Sequence, residues 1–288
     1  MKLMVIGRSL ALMCIALSAL AEATVEAKPT IVALSPQSVE ILFKVGAGEQ
    51  IIGTVDYADY PQAAQLIPRL GRYDQLDMET LMLLQPQLLV FAQQDTSAEI
   101  RQQLETLGVP IIDTSVSTID QVADQMALLG AKTGHSAQGA KVAAEFRQQL
   151  AQLRQQYQGK APLSVFYQVW PEPLTTTSDG WMNQILTDCG GHNVFADAHS
   201  DYPQVSMEQV LVKSPQVILK PKYEGATNQE RVSWTLWPEL PAVANGQVIT
   251  LDGDVVHRTG PRVVDGMKQI CQVMDDARNA YAAMDNTP

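Results

Sequence analysis

Short apolar runs alternate with amphipathic stretches along most of the chain, and one such unit occurs twice. Residues 76–90 read LDMETLMLLQPQLLV and residues 205–219 read VSMEQVLVKSPQVIL. Laid over one another without a gap, Met78 meets Met207, Glu79 meets Glu208, Leu81 meets Val210 and Pro86 meets Pro215. Each copy reads as a short helix that opens at Met-Glu, a turn marked by proline, and an apolar strand. A glutamate in the first turn suits the helix dipole, and proline cannot continue the helix. The runs LLVFA and VILK have the unbroken apolarity of buried parallel strands. One helix–strand unit used twice at long range implies two similar lobes, each with its own sheet.

The intervening pattern fits that reading. IVAL (31–34) is a strand, and Ser35-Pro36 opens a helix that Gly46 or Gly48 ends. IIGTVDY (51–57) is the next strand, followed by a loop that runs past Pro68 and Gly71 to Tyr73. Residues 97–107 form a helix before the strand VPIIDT (109–114), and residues 118–130 form another, capped by Ser117 or Thr118. This alternation predicts a doubly wound parallel lobe. The longest periodic run covers 136–158, with Val142, Phe146, Leu150, Leu153 and Tyr157 at steps of four and three. A helix of ~20 residues spans ~30 Å, enough to reach from one lobe to the other. Beyond it, 163–170 is a strand, TTTSDG (175–180) a loop, and 181–188 a helix stopped by Gly190-Gly191. A polar loop covers 223–229. The last strand covers 247–253 and the last helix 262–284. The expected class is therefore α/β: two doubly wound lobes, 22–135 and 160–288, joined by a single long backbone helix over 136–159.

Composition sharpens this picture. The net charge of −11 disfavours nucleic acid and anionic membrane surfaces as partners. Lys2 and Arg8, the apolar run 9–18 and the small-x-small site Ala19-Leu20-Ala21 read as an export leader over 1–21. Its removal takes the charge from −11 to −13 and discards Cys14. Cys189 and Cys271 then remain. In an exported protein they are most simply a disulfide, the other reading being two buried thiols.

No catalytic motif and no metal-ligand spacing is present: G-x-S-x-G, H-E-x-x-H, the phosphate-binding loop and C-x-x-C are all missing. Neither a cofactor nor an enzymatic activity is therefore expected. What remains is a set of aromatic and charged residues on loops that follow strands. They are Tyr57, Tyr60, Arg72 and Tyr73 in the first lobe. In the second they are Trp170, Trp181, Tyr202, Asp254, His257, Arg258 and Arg262. Ligands of parallel sheets bind beyond the carboxyl ends of the strands, so these loops would face a shared cleft. The ligand implied is broad, partly apolar and rich in hydrogen-bonding groups. Trp170 and Trp181 fit either the cleft or the core, and Arg262 fits either the cleft or a helix first turn. Glu79 and Glu208 read as two docking points for a two-fold symmetric partner, with arginine as the natural counter-group, or as plain dipole residues.

LSPQSVEILFKVG, DYADYP, LGRYDQLDMETLMLLQPQLLV, NQILTDCGGHNVFAD and YPQVSMEQVLVKSPQVIL together resemble the helical-backbone periplasmic binding proteins of ABC importers. Within that family the likeness is to the members that carry cobalamin (vitamin B12), over nearly the whole mature chain. The resemblance implies a periplasmic receptor, monomeric when free, that holds a corrinoid between rigid lobes as cargo. It implies that Glu79 and Glu208 pair with arginines of the importer's membrane permease, whose ATPase drives uptake. It also implies a Cys189–Cys271 disulfide, and ligand contacts at Tyr57, Tyr73, Tyr202, Asp254 and Arg258. Tyr73 and Tyr202 stand where a cobalamin binder carries tryptophan, and Gln93 stands where a further tryptophan would be. Two other cargoes fit the scaffold. A ferric siderophore would use Arg72, Arg258 and Arg262. Haem would use His257 or Tyr73 as axial ligand.

Overall fold

The computed structural model describes residues 28–72, 75–223 and 232–285. The expected leader with Cys14, Tyr73 and most of the polar loop 223–229 lie outside the described residues. The chain runs β1 (Ile31–Ala33), α1 (Pro36–Val45), β2 (Ile51–Thr54), β3 (Gly71–Arg72), β4 (Gln75–Leu76), α2 (Met78–Leu84), β5 (Leu88–Phe91), α3 (Ala98–Thr106), β6 (Ile111–Asp113) and α4 (Gln121–Lys132). Helix α5 (Ser136–Tyr157) follows. The second half runs β7 (Leu163–Pro171), β8 (Leu174–Thr176), α6 (Trp181–Asp188), β9 (Gly191–Asn193), α7 (Met207–Lys213), β10 (Val217–Lys222), α8 (Pro241–Ala244), β11 (Val248–Asp252), α9 (Gly253–Val256) and α10 (Val263–Asp285).

Both main sheets follow one plan. The first is parallel in the order β2-β1-β5-β6. In the second, β9, β7, β10 and β11 pair in parallel in that order. In each, the chain moves outward from the first strand in one direction, returns, and moves outward in the other. The switch point is therefore beside β1 and β5 in one lobe and beside β7 and β10 in the other. The repeated unit has the same local structure in both copies. Asp77 and Ser206 cap α2 and α7 through their side chains. Gln85 (φ 46°) and Ser214 (φ 49°) end those helices in the left-handed region, one residue before Pro86 and Pro215. A residue preceding proline is excluded from continuing the helix, which accounts for the stop.

Helix α5 joins the lobes through a single apolar core. Val142, Phe146, Leu150, Leu153 and Tyr157 belong to one buried cluster with Ile31 and Leu42 of the first lobe and Val165 and Met274 of the second. Gly130 of α4 and Gly139 of α5 meet backbone to backbone: a Cβ on Gly130 would lie 2.6 Å from the Gly139 Cα. Polar groups pin the same junction. Arg154 of α5 donates from both terminal nitrogens to Asp120, at 2.8 Å each, and from Nε to Asp188 at 2.8 Å. One guanidinium thereby ties the start of α4, the backbone helix and the end of α6, in the two-pronged geometry that arginine favours.

Several local expectations need correction. Helix α4 begins at Gln121, with neither Ser117 nor Thr118 as its cap; the Gln121 side-chain carbonyl instead accepts from the Ser117 and Thr118 N–H groups at 2.7 and 3.1 Å. Ser35 stands at the N-cap position of α1, but its hydroxyl bonds the Ser38 hydroxyl at 2.6 Å rather than a backbone N–H. Part of the expected TTTSDG loop is β8, which folds back antiparallel on β7. The hairpin β3–β4 and the strand β9 are two and three residues long, too short to show a period.

Candidate functional site

The site begins with the loop after β2. Tyr57 sits there at φ 65° and 60% exposed. A bulky residue in the left-handed region is held at a cost of roughly 1–2 kcal/mol, so the surroundings must impose it. Arg69 does so. Its guanidinium donates to the carbonyls of Val55 (2.8 Å), Ala58 (3.1 Å) and Ala64 (3.2 Å). The Asp56 N–H bonds the Gly71 carbonyl at 2.8 Å. The loop that carries Tyr57, Asp59 and Tyr60 is thus stapled to the rest of its lobe.

Across from it, the segment after β11 supplies Asp254, Arg258 and Arg262. Arg258 Nη1 lies 2.9 Å from Asp59 Oδ1 and 3.7 Å from Glu40 Oε1, and its Nη2 donates to Asp254. Arg262 grips Glu40 with two donors, Nη2 to Oε1 at 2.6 Å and Nε to Oε2 at 3.0 Å. Its guanidinium lies over the Tyr60 ring, 4.0 Å from the centroid, at the distance of a cation–π contact. Glu40 and Asp59 belong to the first lobe and both arginines to the second, so this network crosses the cleft. A groove of about 600 Å³ opens beside it, lined by Asp59, Tyr60, Gln65, Lys222, Tyr223 and Asp254 among others.

The floor on the second lobe is aromatic. His257 has Trp181, Tyr167, Tyr202 and Tyr223 around it, with ring centroids at 5.3, 5.7, 6.1 and 6.5 Å. Its Nδ1 lies 3.2 Å from the Tyr167 hydroxyl. Burial among these rings pushes the imidazole down to about 4, so it is neutral at neutral pH. Burial, helped by the Asp95 carboxylate, pushes Tyr202 up to about 12, and burial raises Tyr223 as well. The floor therefore presents flat rings and uncharged hydrogen-bonding groups, with the ion-paired network beside it.

Of the expected ligand residues, Asp254 and Arg258 belong to the cross-cleft network and Tyr202 to the aromatic floor, while Tyr57 stands exposed on the loop that carries Asp59. Trp170 stands 39% exposed at the carboxyl end of β7. Trp181, at 7% exposure, packs under His257, and Arg262 serves as the cross-lobe clasp. Gln93 opens the turn after β5, with its N–H on Asp113 at 3.0 Å. Glu79 and Glu208 are exposed in the first turns of α2 and α7. Cys189 and Cys271 form a disulfide between the end of α6 and α10. Among the described residues no group of three or more His, Cys, Asp or Glu side chains is placed to hold a metal ion.

Sequence reasoning missed Glu40, Asp59, Arg69 and Tyr167. The period of α1 rests on Val39, Leu42 and Phe43, which leaves Glu40 looking solvated; in fact it is 3% exposed. The signal available was its setting, a lone carboxylate inside the apolar run VEILF. Arg69 carried no signal, because it acts on carbonyls of a loop whose shape the sequence does not specify.

A family model described as "Periplasmic binding protein" matches residues 31–255. The vitamin B12-binding protein of Vibrio cholerae serotype O1 (strain ATCC 39541) is 35% identical over 250 residues, which is 86% of this chain and 90% of that protein. The vitamin B12-binding protein of Photorhabdus laumondii subsp. laumondii is 33% identical over 273 residues, 94% and 96% of the two chains. The crystal structure of the periplasmic vitamin B12 binding protein BtuF of Vibrio cholerae superposes with a TM-score of 0.80 at 34% identity, covering 87% of this chain and 98% of that one.

Proposed function

This chain belongs to the periplasmic binding protein family, and from that premise we propose that it captures cobalamin between its lobes and delivers it to an ABC importer. The observation that carries the reading is the uncharged aromatic floor around His257, set against a network of ion pairs across the cleft. A corrin is a broad, flat ring edged with amide arms. Rings such as Tyr57, Trp170 and Tyr202, with Tyr73, give it flat apolar contact. Amides both donate and accept, so Asp254 and Arg258 can exchange their mutual bonds for bonds to the cargo. A ferric siderophore, being anionic, needs a surplus of cationic groups, whereas Arg258 and Arg262 face three carboxylates, Glu40, Asp59 and Asp254. For haem, His257 is hemmed in by four rings, with Nδ1 on Tyr167.

In this reading the leader over 1–21 carries the chain to the periplasm. The lobes over 22–135 and 160–288 move little, because α5 and the Arg154 bridge hold them. Glu79 and Glu208 dock the loaded receptor on arginines of the two permease subunits, and the ATPase subunits supply the energy. The test is uptake of labelled cyanocobalamin with Glu79→Lys and Glu208→Lys receptors. Reversing a charge in a docked pair lowers uptake by at least about tenfold for each, while affinity for cyanocobalamin stays within about twofold. A fall in ligand affinity instead would move that glutamate from the docking face to the cleft.

A further inference from the structure

We propose that Leu83 and Val212 are a matched pair of apolar docking knobs, one per lobe, each seated in an apolar recess of the transporter beside the basic group that takes Glu79 or Glu208. This inference rests on the docking role assigned to the two glutamates and adds the residues that complete each contact.

The two helices present the same surface. In both, the methionine that opens the helix is half-buried, the next residue is the exposed glutamate, and Leu81 or Val210 is buried. Four residues beyond each glutamate comes a large aliphatic side chain in water, Leu83 at 77% exposure and Val212 at 84%. Residues four apart share one helix face, so each glutamate and its aliphatic neighbour point the same way. A single exposed leucine is ordinary on a protein surface. Here the same exposure recurs at the same register of two helices that lie in different lobes. The equivalence extends to the left-handed stops at Gln85 and Ser214. On α2 the patch is wider, because Met82 is also 54% exposed.

Position in the fold places both pairs at one edge. A helix that leads into a parallel strand starts at the carboxyl end of its sheet, which is the cleft end of each lobe. Glu79 and Glu208 therefore flank the cleft, with Leu83 and Val212 one turn farther out. A partner spanning the mouth would meet carboxylate then aliphatic group on one side, and the same pair on the other. The occupant that fits is a two-fold symmetric membrane protein with an arginine next to an apolar recess in each half. Its basic groups complement a chain of net charge −11. Enclosing one leucine or valine side chain strengthens association by about tenfold or more.

The experiment measures binding of the mature receptor to the permease–ATPase complex of a cobalamin importer in nanodiscs. Leu83→Ser and Val212→Ser are tested singly and together, with Leu128→Ser on α4 as a surface control. Cyanocobalamin titration of each variant reports that it is folded. Each single change lowers docking affinity by about tenfold, the double change by more, and the control by less than about twofold. If the double variant docks within about twofold of the parent while Glu79→Lys with Glu208→Lys abolishes docking, the apolar knobs are wrong and the glutamate reading stands. If the glutamate reversals also dock like the parent, both readings fall.

Discussion

Replacing Cys189 and Cys271 together with alanine lowers the stability of the protein more than any other pair of changes away from the cleft. The bridge closes a loop of 82 residues, and both cysteines are fully buried. Loop-closure entropy for that length corresponds to about 4.5 kcal/mol. Domains of this kind are stable by only about 5–15 kcal/mol, so the loss is a large share of the total. The bridge ties the end of α6, the helix that Trp181 opens, to α10. Thermal unfolding of the oxidised parent and of the Cys189→Ala/Cys271→Ala variant measures this. A drop of about 9 °C or more is expected, at roughly 2–4 °C per kcal/mol for a chain of this size. A drop of less than about 3 °C would show that the α6–α10 packing holds without the bridge.

Arg262→Met has the second large effect, for a different reason. Glu40 is buried, with a side chain 2% exposed, and Arg262 supplies both of its short bonds. Without Arg262 the carboxylate is left with Arg258 Nη1 at 3.7 Å. Removing one partner of a buried pair costs about 3–5 kcal/mol, because the other charge is stranded in a poorly solvated place. Replacing both partners relieves that penalty, so Glu40→Met/Arg262→Met recovers much of the loss. Urea unfolding at neutral pH compares the three proteins. A single variant within about 1 kcal/mol of the parent, or a double variant no better than the single, would contradict the clasp. Because the pair joins the lobes, the single variant also admits cargo to a looser cleft and weakens its binding.

The parts of the molecule that rest on local pattern were legible. The repeated Met-Glu helix and proline stop appear where expected. So does α6, bounded by Gly180 and Gly190, at the expected Trp181–Asp188. The period of Val142, Phe146, Leu150 and Leu153 gave α5, since one face of that helix is buried along its length. Short strands were not legible: β8 and β9 hold their places by pairing with β7 rather than by any period of their own. The start of α4 was misplaced because Gln121, rather than a serine or threonine hydroxyl, satisfies the free N–H groups there. In the site, the loop after β2 and the segment after β11, both marked by charged and aromatic residues that follow strands, meet through Asp59 and Arg258. Glu40 and Arg69 were not marked in this way, because their partners come from distant segments: Glu40 lies 222 positions before Arg262. The cross-lobe clasp is a property of the assembled fold, and no stretch of sequence contains both of its ends.

The measurement that bears most directly on cobalamin capture is calorimetric titration of the purified mature protein with cyanocobalamin, with haemin and a ferric catecholate as parallel titrants. One corrinoid bound per chain, with no heat from either iron ligand, is the result expected of the neutral aromatic floor and the paired arginines. No binding of cyanocobalamin together with saturable binding of haemin or the ferric catecholate would contradict it, and would reassign the cleft to an iron cargo.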